Sequence, residues 1–203
     1  MELREALAQI SEIRLRMARA QIFRGYRAGP AAFSGLLAVL AAGLQHAFVP
    51  DPAGHIVAYV GLWVGAAVLS AMTAGGAMAL YYRKESAPLE RQTAWLAAEQ
   101  FLPSVVAGVL LTFALARFAE ASLWLLPGLW QILFSLGLFA SRRLLPRGLA
   151  GVALFYLVTG TLCLALAQGE HAFSPWAMGL PFGVGQLLAA AVLHWTLERS
   201  DGG

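Results

Sequence analysis

Residues able to bind a metal ion or to move a proton cluster in the short segments between long apolar runs. They are histidines, carboxylates and one glutamine: Gln45, His46, Asp51, His55, Glu120, Glu170 and His171. Three histidines and three carboxylates on one surface would suit Zn or Cu, or pH sensing. Their spacing matches no metal motif, and solvated loop ends account for them equally well. We therefore expect no metal site; its best ligand candidates would be His46, His55, Glu170 and His171.

Catalytic motifs are missing from the sequence. It contains no HExxH, no GxSxG and no Gly-Lys phosphate loop, and no paired carboxylates lie within an apolar run. Glu170 and His171 are adjacent and would form an acid/base pair, but adjacency is all that supports it. We therefore expect a non-enzymatic protein without a cofactor.

The stretch Ser174–Gln186, SPWAMGLPFGVGQ, combines two prolines with three glycines inside an apolar segment. Pro181 has no N–H to donate to the carbonyl of Ala177, so it should kink a helix there. Gly179 and Gly183 are four residues apart, the spacing that allows close contact between membrane helices. The stretch predicts either a kinked helix packed tightly on a neighbour or a kink that faces a cavity.

Two glutamines occupy comparable places within apolar runs, Gln131 after LPGLW and Gln186 after LPFGVG. Each is suited to hydrogen bonds between helices, which is the simpler interpretation, or to contact with a ligand. No Asp, Glu, Lys or Arg lies in the middle of a run, which argues against coupled transport and voltage sensing. A path for a small neutral or apolar solute would be lined by Gln131, Gln186 and the kink at Pro181.

Helices that cross a membrane must position these residues. Hydrophobic residues make up 59% of the chain, charged residues 12%, and the mean hydropathy is +0.67, which excludes a soluble domain with a charged surface. Six uncharged runs are long enough to span a bilayer: about 31–48, 57–82, 100–116, 121–141, 148–169 and 172–197. We predict an all-α integral membrane six-helix bundle over 30–199, after a cytoplasmic helix at 1–29 and before a tail at 200–203.

A further hypothesis divides the six spans into three tandem helical hairpins. Similar segments begin at Pro30 (PAAFSGLL), Pro103 (PSVVAGVL) and Pro146 (PRGLAGVA). Hairpins that all start on one side of the membrane would be parallel repeats. Such matches also arise by chance in a chain with 21 glycines, so both interpretations stay open.

The basic residues indicate the orientation. With the N-terminus inside, every Lys and Arg except Arg117 falls on the cytoplasmic side, which predicts cytoplasmic N- and C-termini. This topology and anionic lipid headgroups account for the basic pI of 9.4, so we expect a lipid bilayer and no nucleic acid as partner. The pattern is typical of a bacterial inner membrane protein.

An amphipathic helix is predicted before the first span. Leu3, Ile10, Ile13 and Met17 belong to an apolar stripe with spacings of three and four, opposite a charged face. The stripe would lie on the membrane surface, dock a partner, or pack against the protein's own loops.

Three functions remain open. The first is a multi-pass membrane protein that binds or regulates a cytoplasmic protein partner, or forms a homo-oligomer, through this N-terminal helix. The second is a passive channel or facilitator for a small neutral or apolar solute. The third is an outward-facing metal-binding protein or membrane enzyme.

Overall fold

The computed structural model describes residues 27–85 and 88–198. Every regular element in these ranges is helical, which confirms the predicted all-α fold. Six of the helices are long and apolar enough to cross a membrane, so the chain is a multi-pass membrane protein. The predicted amphipathic helix with Leu3, Ile10, Ile13 and Met17 lies outside the described residues.

The long helices follow one another as α1 (Ala28–Phe48), α2 (Ile56–Glu85), α3 (Pro88–Phe118), α4 (Leu126–Ala140), α5 (Leu149–Leu166) and α6 (Pro175–Leu193). Short 3₁₀ segments, Glu120–Leu125 and Gly169–Phe173, precede α4 and α6, and a π-helical turn, His194–Glu198, follows α6. Successive helices run in opposite directions. We call the bundle end that holds the start of α1 and the α2–α3 and α4–α5 connections the basic end, and the other the opposite end.

Prolines lie at different places in these helices. Pro127 and Pro175 occupy first turns, where the missing N–H would have no partner in any case. Pro103 and Pro181 lie inside α3 and α6. Because Pro30 is in the first turn of α1 whereas Pro103 is well inside α3, the prolines aligned in the hairpin hypothesis are not equivalent. Three tandem hairpins stay a prediction.

Close glycine contacts assemble a core from α1, α4, α5 and α6. A Cβ added at Gly183 would lie 2.8 Å from Val39 Cγ2, and one added at Gly35 would lie 3.0 Å from the Gly183 oxygen, so α1 and α6 approach closely. A Cβ at Gly128 would lie 2.8 Å from the Gly160 oxygen, which brings α4 equally close to α5. Membrane helices gain van der Waals packing by such approaches, because the lipid gives them no hydrophobic driving force.

Helices α2 and α3 are peripheral to this core. α2 packs against α1, and α3 packs against α4. The most apolar 18-residue window of α3 has 0% of its residues buried and that of α2 has 11%, against 44% for the segments that contain α4 and α6. Most of the surface of α2 and α3 therefore faces either lipid or the space between them.

Candidate functional site

A cavity of about 770 Å³ lies between α2 and α3. We call it the crevice. Its walls are the facing sides of α2 and α3, and its floor is formed by core helices, with Phe134 of α4 and Met178, Phe182 and Gln186 of α6. Val109 and Phe113 on its α3 wall are exposed, so the crevice opens outward between the two peripheral helices.

The crevice is long. Its lining extends along α3 from Ala97 to Ala116, which is about 28 Å at 1.5 Å per residue. It is open along one side, between α2 and α3, so its contents would contact the bilayer there as well as the protein.

Two hydroxyl groups along the crevice have hydrogen-bond partners in the protein. Thr112 Oγ1 donates to the Gly108 oxygen at 2.7 Å and accepts from Trp130 Nε1 at 2.9 Å. At the basic end, Ser141 Oγ donates to the Ala97 oxygen at 3.3 Å. The described lining contains no charged side chain. The crevice therefore presents an apolar surface to its contents.

The structure separates the two glutamines that the sequence suggested as a pair. Gln186 is 5% exposed and lines the crevice. Gln131 is fully buried, and its Nε2 donates to the Pro127 oxygen at 3.1 Å and to the Ala177 oxygen at 3.0 Å. The Ala177 carbonyl is the one that Pro181 leaves without a donor, so Gln131 supplies the missing hydrogen bond from the neighbouring helix. Gln131 Oε1 is buried and has no hydrogen-bond partner among the described residues.

Glycines 179 and 183 both face α1. A Cβ at Gly179 would lie 2.5 Å from Ala42 Cβ, which has no side-chain rotation to relieve the contact. The same four-residue spacing on α2, at Gly61 and Gly65, meets nothing within 4 Å. Spacing alone thus does not tell which small-residue ridge packs against a helix.

Gln45 has a role that the sequence analysis missed, since we placed it with the polar loop residues. It is fully buried near the end of α1. Its Nε2 donates to the Phe173 oxygen at 2.6 Å, and its Oε1 accepts from Trp63 Nε1 at 2.8 Å. This amide joins α1, α2 and the segment before α6 at the opposite end. The signal was available, because Gln45 continues the small-residue stripe of Gly35, Ala38 and Ala42 at helical spacing.

The metal-ligand candidates do not form a site in the described part of the chain. No three side chains of His, Cys, Asp or Glu come close enough there to hold a metal ion. His55 instead closes a turn, with its Nδ1 3.1 Å from the Asp51 oxygen. His46 is in the last turn of α1 and His171 is in the 3₁₀ segment before α6, while the side chain of Glu170 lies outside the described residues.

Comparison with known proteins gives no relative: no family model, no curated protein and no solved structure matches the chain.

Proposed function

We propose that this protein binds the acyl chains of a membrane lipid in the crevice between α2 and α3. The lipid enters the crevice laterally from the bilayer. We place it in a bacterial inner membrane with both termini in the cytoplasm, because all basic residues except Arg117 then lie on the cytoplasmic side. The observation that carries the proposal is a crevice of about 770 Å³, long, apolar and open toward lipid. Protein pockets that bind small-molecule ligands have volumes of about 300–1,000 Å³.

The length and the apolar lining of the crevice suit acyl chains. An extended hydrocarbon chain is about 4–5 Å wide, as the contact distance between carbon atoms requires. Such a chain would lie along the crevice between α2 and α3 and contact both walls. The mostly apolar lining disfavours a polar solute, because its few polar groups would replace little of the hydration shell of that solute.

An empty crevice would cost van der Waals contacts along both walls. Protein interiors contain few voids larger than a water molecule, and atoms that line a void lose attraction that a partner would supply. At this depth of the bilayer the abundant partner is the lipid acyl chain. Selectivity must then come from packing and from the headgroup, because transfer from lipid to protein yields no hydrophobic free energy.

Filling the crevice tests the proposal. Val105 and Val106 are neighbours on α3 with nearly equal exposure, 46% and 45%, but only Val105 lines the crevice. We expect Val105→Trp to lower the number of lipids retained after detergent purification, as measured by native mass spectrometry. Val106→Trp is the matched control and should retain lipid as the wild type does.

Equal lipid retention by the wild type and by both variants would contradict the proposal, provided that circular dichroism and gel filtration show all three proteins to be folded and monodisperse.

A further inference from the structure

The crevice has two unlike ends, which bears on the headgroup of the lipid. At the basic end it is lined by Pro30 and Met78 of α1 and α2, by Ala97 of α3, and by Ser141 and Leu145 of the α4–α5 connection. In the opposite half it is lined by Trp63, Ala116 and Trp130. A lipid whose chains occupy the crevice must place its headgroup at one of these ends.

Two arginines flank the basic end of the crevice. Arg142 and Arg143 lie between the lining residues Ser141 and Leu145 and are exposed, whereas Ser141 and Leu145 are buried. The connection is held in place: the Ser141 oxygen accepts from the Leu144 N–H at 2.9 Å, and the Phe139 oxygen accepts from the Arg142 N–H at 3.3 Å. A hydrogen-bonded turn therefore carries two exposed arginines next in sequence to lining residues of the crevice.

The described charge around this end is mainly positive. Its described Asp, Glu, Lys and Arg side chains are five arginines and one carboxylate, all exposed: Arg27, Arg83, Glu99, Arg142, Arg143 and Arg147. No carboxylate pairs with Arg142 or Arg143 among the residues that the structure describes. Guanidinium groups bind phosphate oxygens in a bidentate manner, and basic pockets between membrane helices on the cytoplasmic side bind anionic lipid headgroups.

The opposite end of the crevice has much less positive charge among its described residues. Its one described arginine is Arg117, whose guanidinium carbon lies 5.7 Å from the centre of the Phe118 ring. The carboxylate of Glu120, three residues after Arg117, adds a negative charge at this end. Charge therefore distinguishes the two ends and orients a lipid with its phosphate at the basic end.

We infer that the lipid is an anionic phospholipid of the leaflet at the basic end, with its phosphate against Arg142 and Arg143 and its acyl chains in the adjoining half of the crevice. This inference rests on the proposed acyl-chain binding. One leaflet contributes about 15 Å of hydrocarbon. Val105 lies eight residues from Ala97, or about 12 Å along α3, so the chains of such a lipid would reach it.

The test compares phosphatidylglycerol with phosphatidylcholine of identical acyl chains, titrated into delipidated protein and followed by native mass spectrometry. The wild type should bind phosphatidylglycerol at least about tenfold more tightly, because its net charge is −1, whereas the choline cation cancels the phosphate charge of phosphatidylcholine and is repelled by the guanidinium groups. Arg142→Gln with Arg143→Gln should remove this preference, and it should weaken phosphatidylcholine binding much less than phosphatidylglycerol binding. Arg142→Lys with Arg143→Lys should retain part of it, since the charge stays while the bidentate geometry is lost.

Arg147→Gln is the control. Arg147 lies in the same connection, next to Gly148, where an added Cβ would meet Val192 of α6, and neither residue lines the crevice. The Arg147→Gln variant should keep the full preference for phosphatidylglycerol. A wild type without preference, or a double Gln variant that keeps it, overturns the inference.

Failure of the inference differs from failure of the proposed function. If the wild type binds both lipids equally and Val105→Trp abolishes both, the crevice binds acyl chains and only the headgroup assignment is wrong. If Val105→Trp changes neither affinity, the chains do not enter the crevice and both proposals are overturned, even where the arginines confer a preference.

Discussion

At the scale of single residues, Gln131 compensates for Pro181. The proline ring leaves the Ala177 carbonyl without its helical donor, and the Gln131 amide donates to it at 3.0 Å from α4. The same side chain has a cost, since its Oε1 is buried without a partner among the described residues. These two effects oppose each other, so the coupling of Gln131 to Pro181 is more informative than the stability change of Gln131→Leu alone.

A double-mutant cycle measures that coupling. Gln131→Leu should cost stability in the wild type but less in a Pro181→Ala background, where the new N–H at residue 181 bonds to Ala177 and makes the amide redundant. We expect a coupling of about 0.5–1.5 kcal/mol, in the range of hydrogen bonds between membrane helices. Unfolding of the four proteins in mixed detergent gives the free energies. Strictly additive effects would show that the two residues act independently.

At the scale of helices, the contact of α6 with α1 depends on missing side chains. Gly183 has room for no Cβ beside Val39, and Gly179 has none beside Ala42. Gly61 on α2 has the same sequence spacing to a second glycine, yet a Cβ added there would meet no described residue of another helix within 4 Å. Glycine pairs with the same spacing in sequence therefore contribute differently to the stability of helix packing.

Gly183→Leu should lower the free energy of unfolding by about 1–3 kcal/mol, the usual cost of forcing extra volume into a packed contact. Gly61→Leu, the matched control, should change it by less than about 0.5 kcal/mol, as substitutions away from contacts do. Thermal unfolding in detergent ranks the variants. Should Gly183→Leu prove as stable as Gly61→Leu, α1 and α6 do not pack through these glycines.

At the scale of the whole molecule, the sequence determines the number of helices but not their arrangement. Six apolar runs predict six helices because crossing a bilayer requires about 20 apolar residues whatever their neighbours are. Hydropathy carries no information on which helices touch, so it predicted neither the crevice nor the separation of Gln131 from Gln186. Gln45 was assigned to a loop for the same reason, since its polarity was visible and its partners Trp63 and Phe173 were not.

The N-terminal stripe stays a prediction at this scale. Ile10→Glu with Ile13→Glu should leave membrane insertion intact, because the first span and its basic flank remain, but should release residues 3–20 to solvent. Each buried isoleucine contributes roughly 1.5–3 kcal/mol, and a carboxylate there adds repulsion from anionic lipid. Hydrogen exchange of the protein in nanodiscs measures the release, with Gln9→Glu on the polar face as control. Unchanged protection in the double variant would refute docking through the stripe.

The contact between α1 and α6 also has a consequence for biosynthesis. α6 is synthesised well after α1, so the α1 face with Gly35, Ala38 and Ala42 lacks this partner in the bilayer until α6 has been inserted. A contact between segments so far apart in sequence requires closure of a long loop and therefore forms late in folding. A chain that ends before α6 leaves this face of α1 without the helix that packs closely on it.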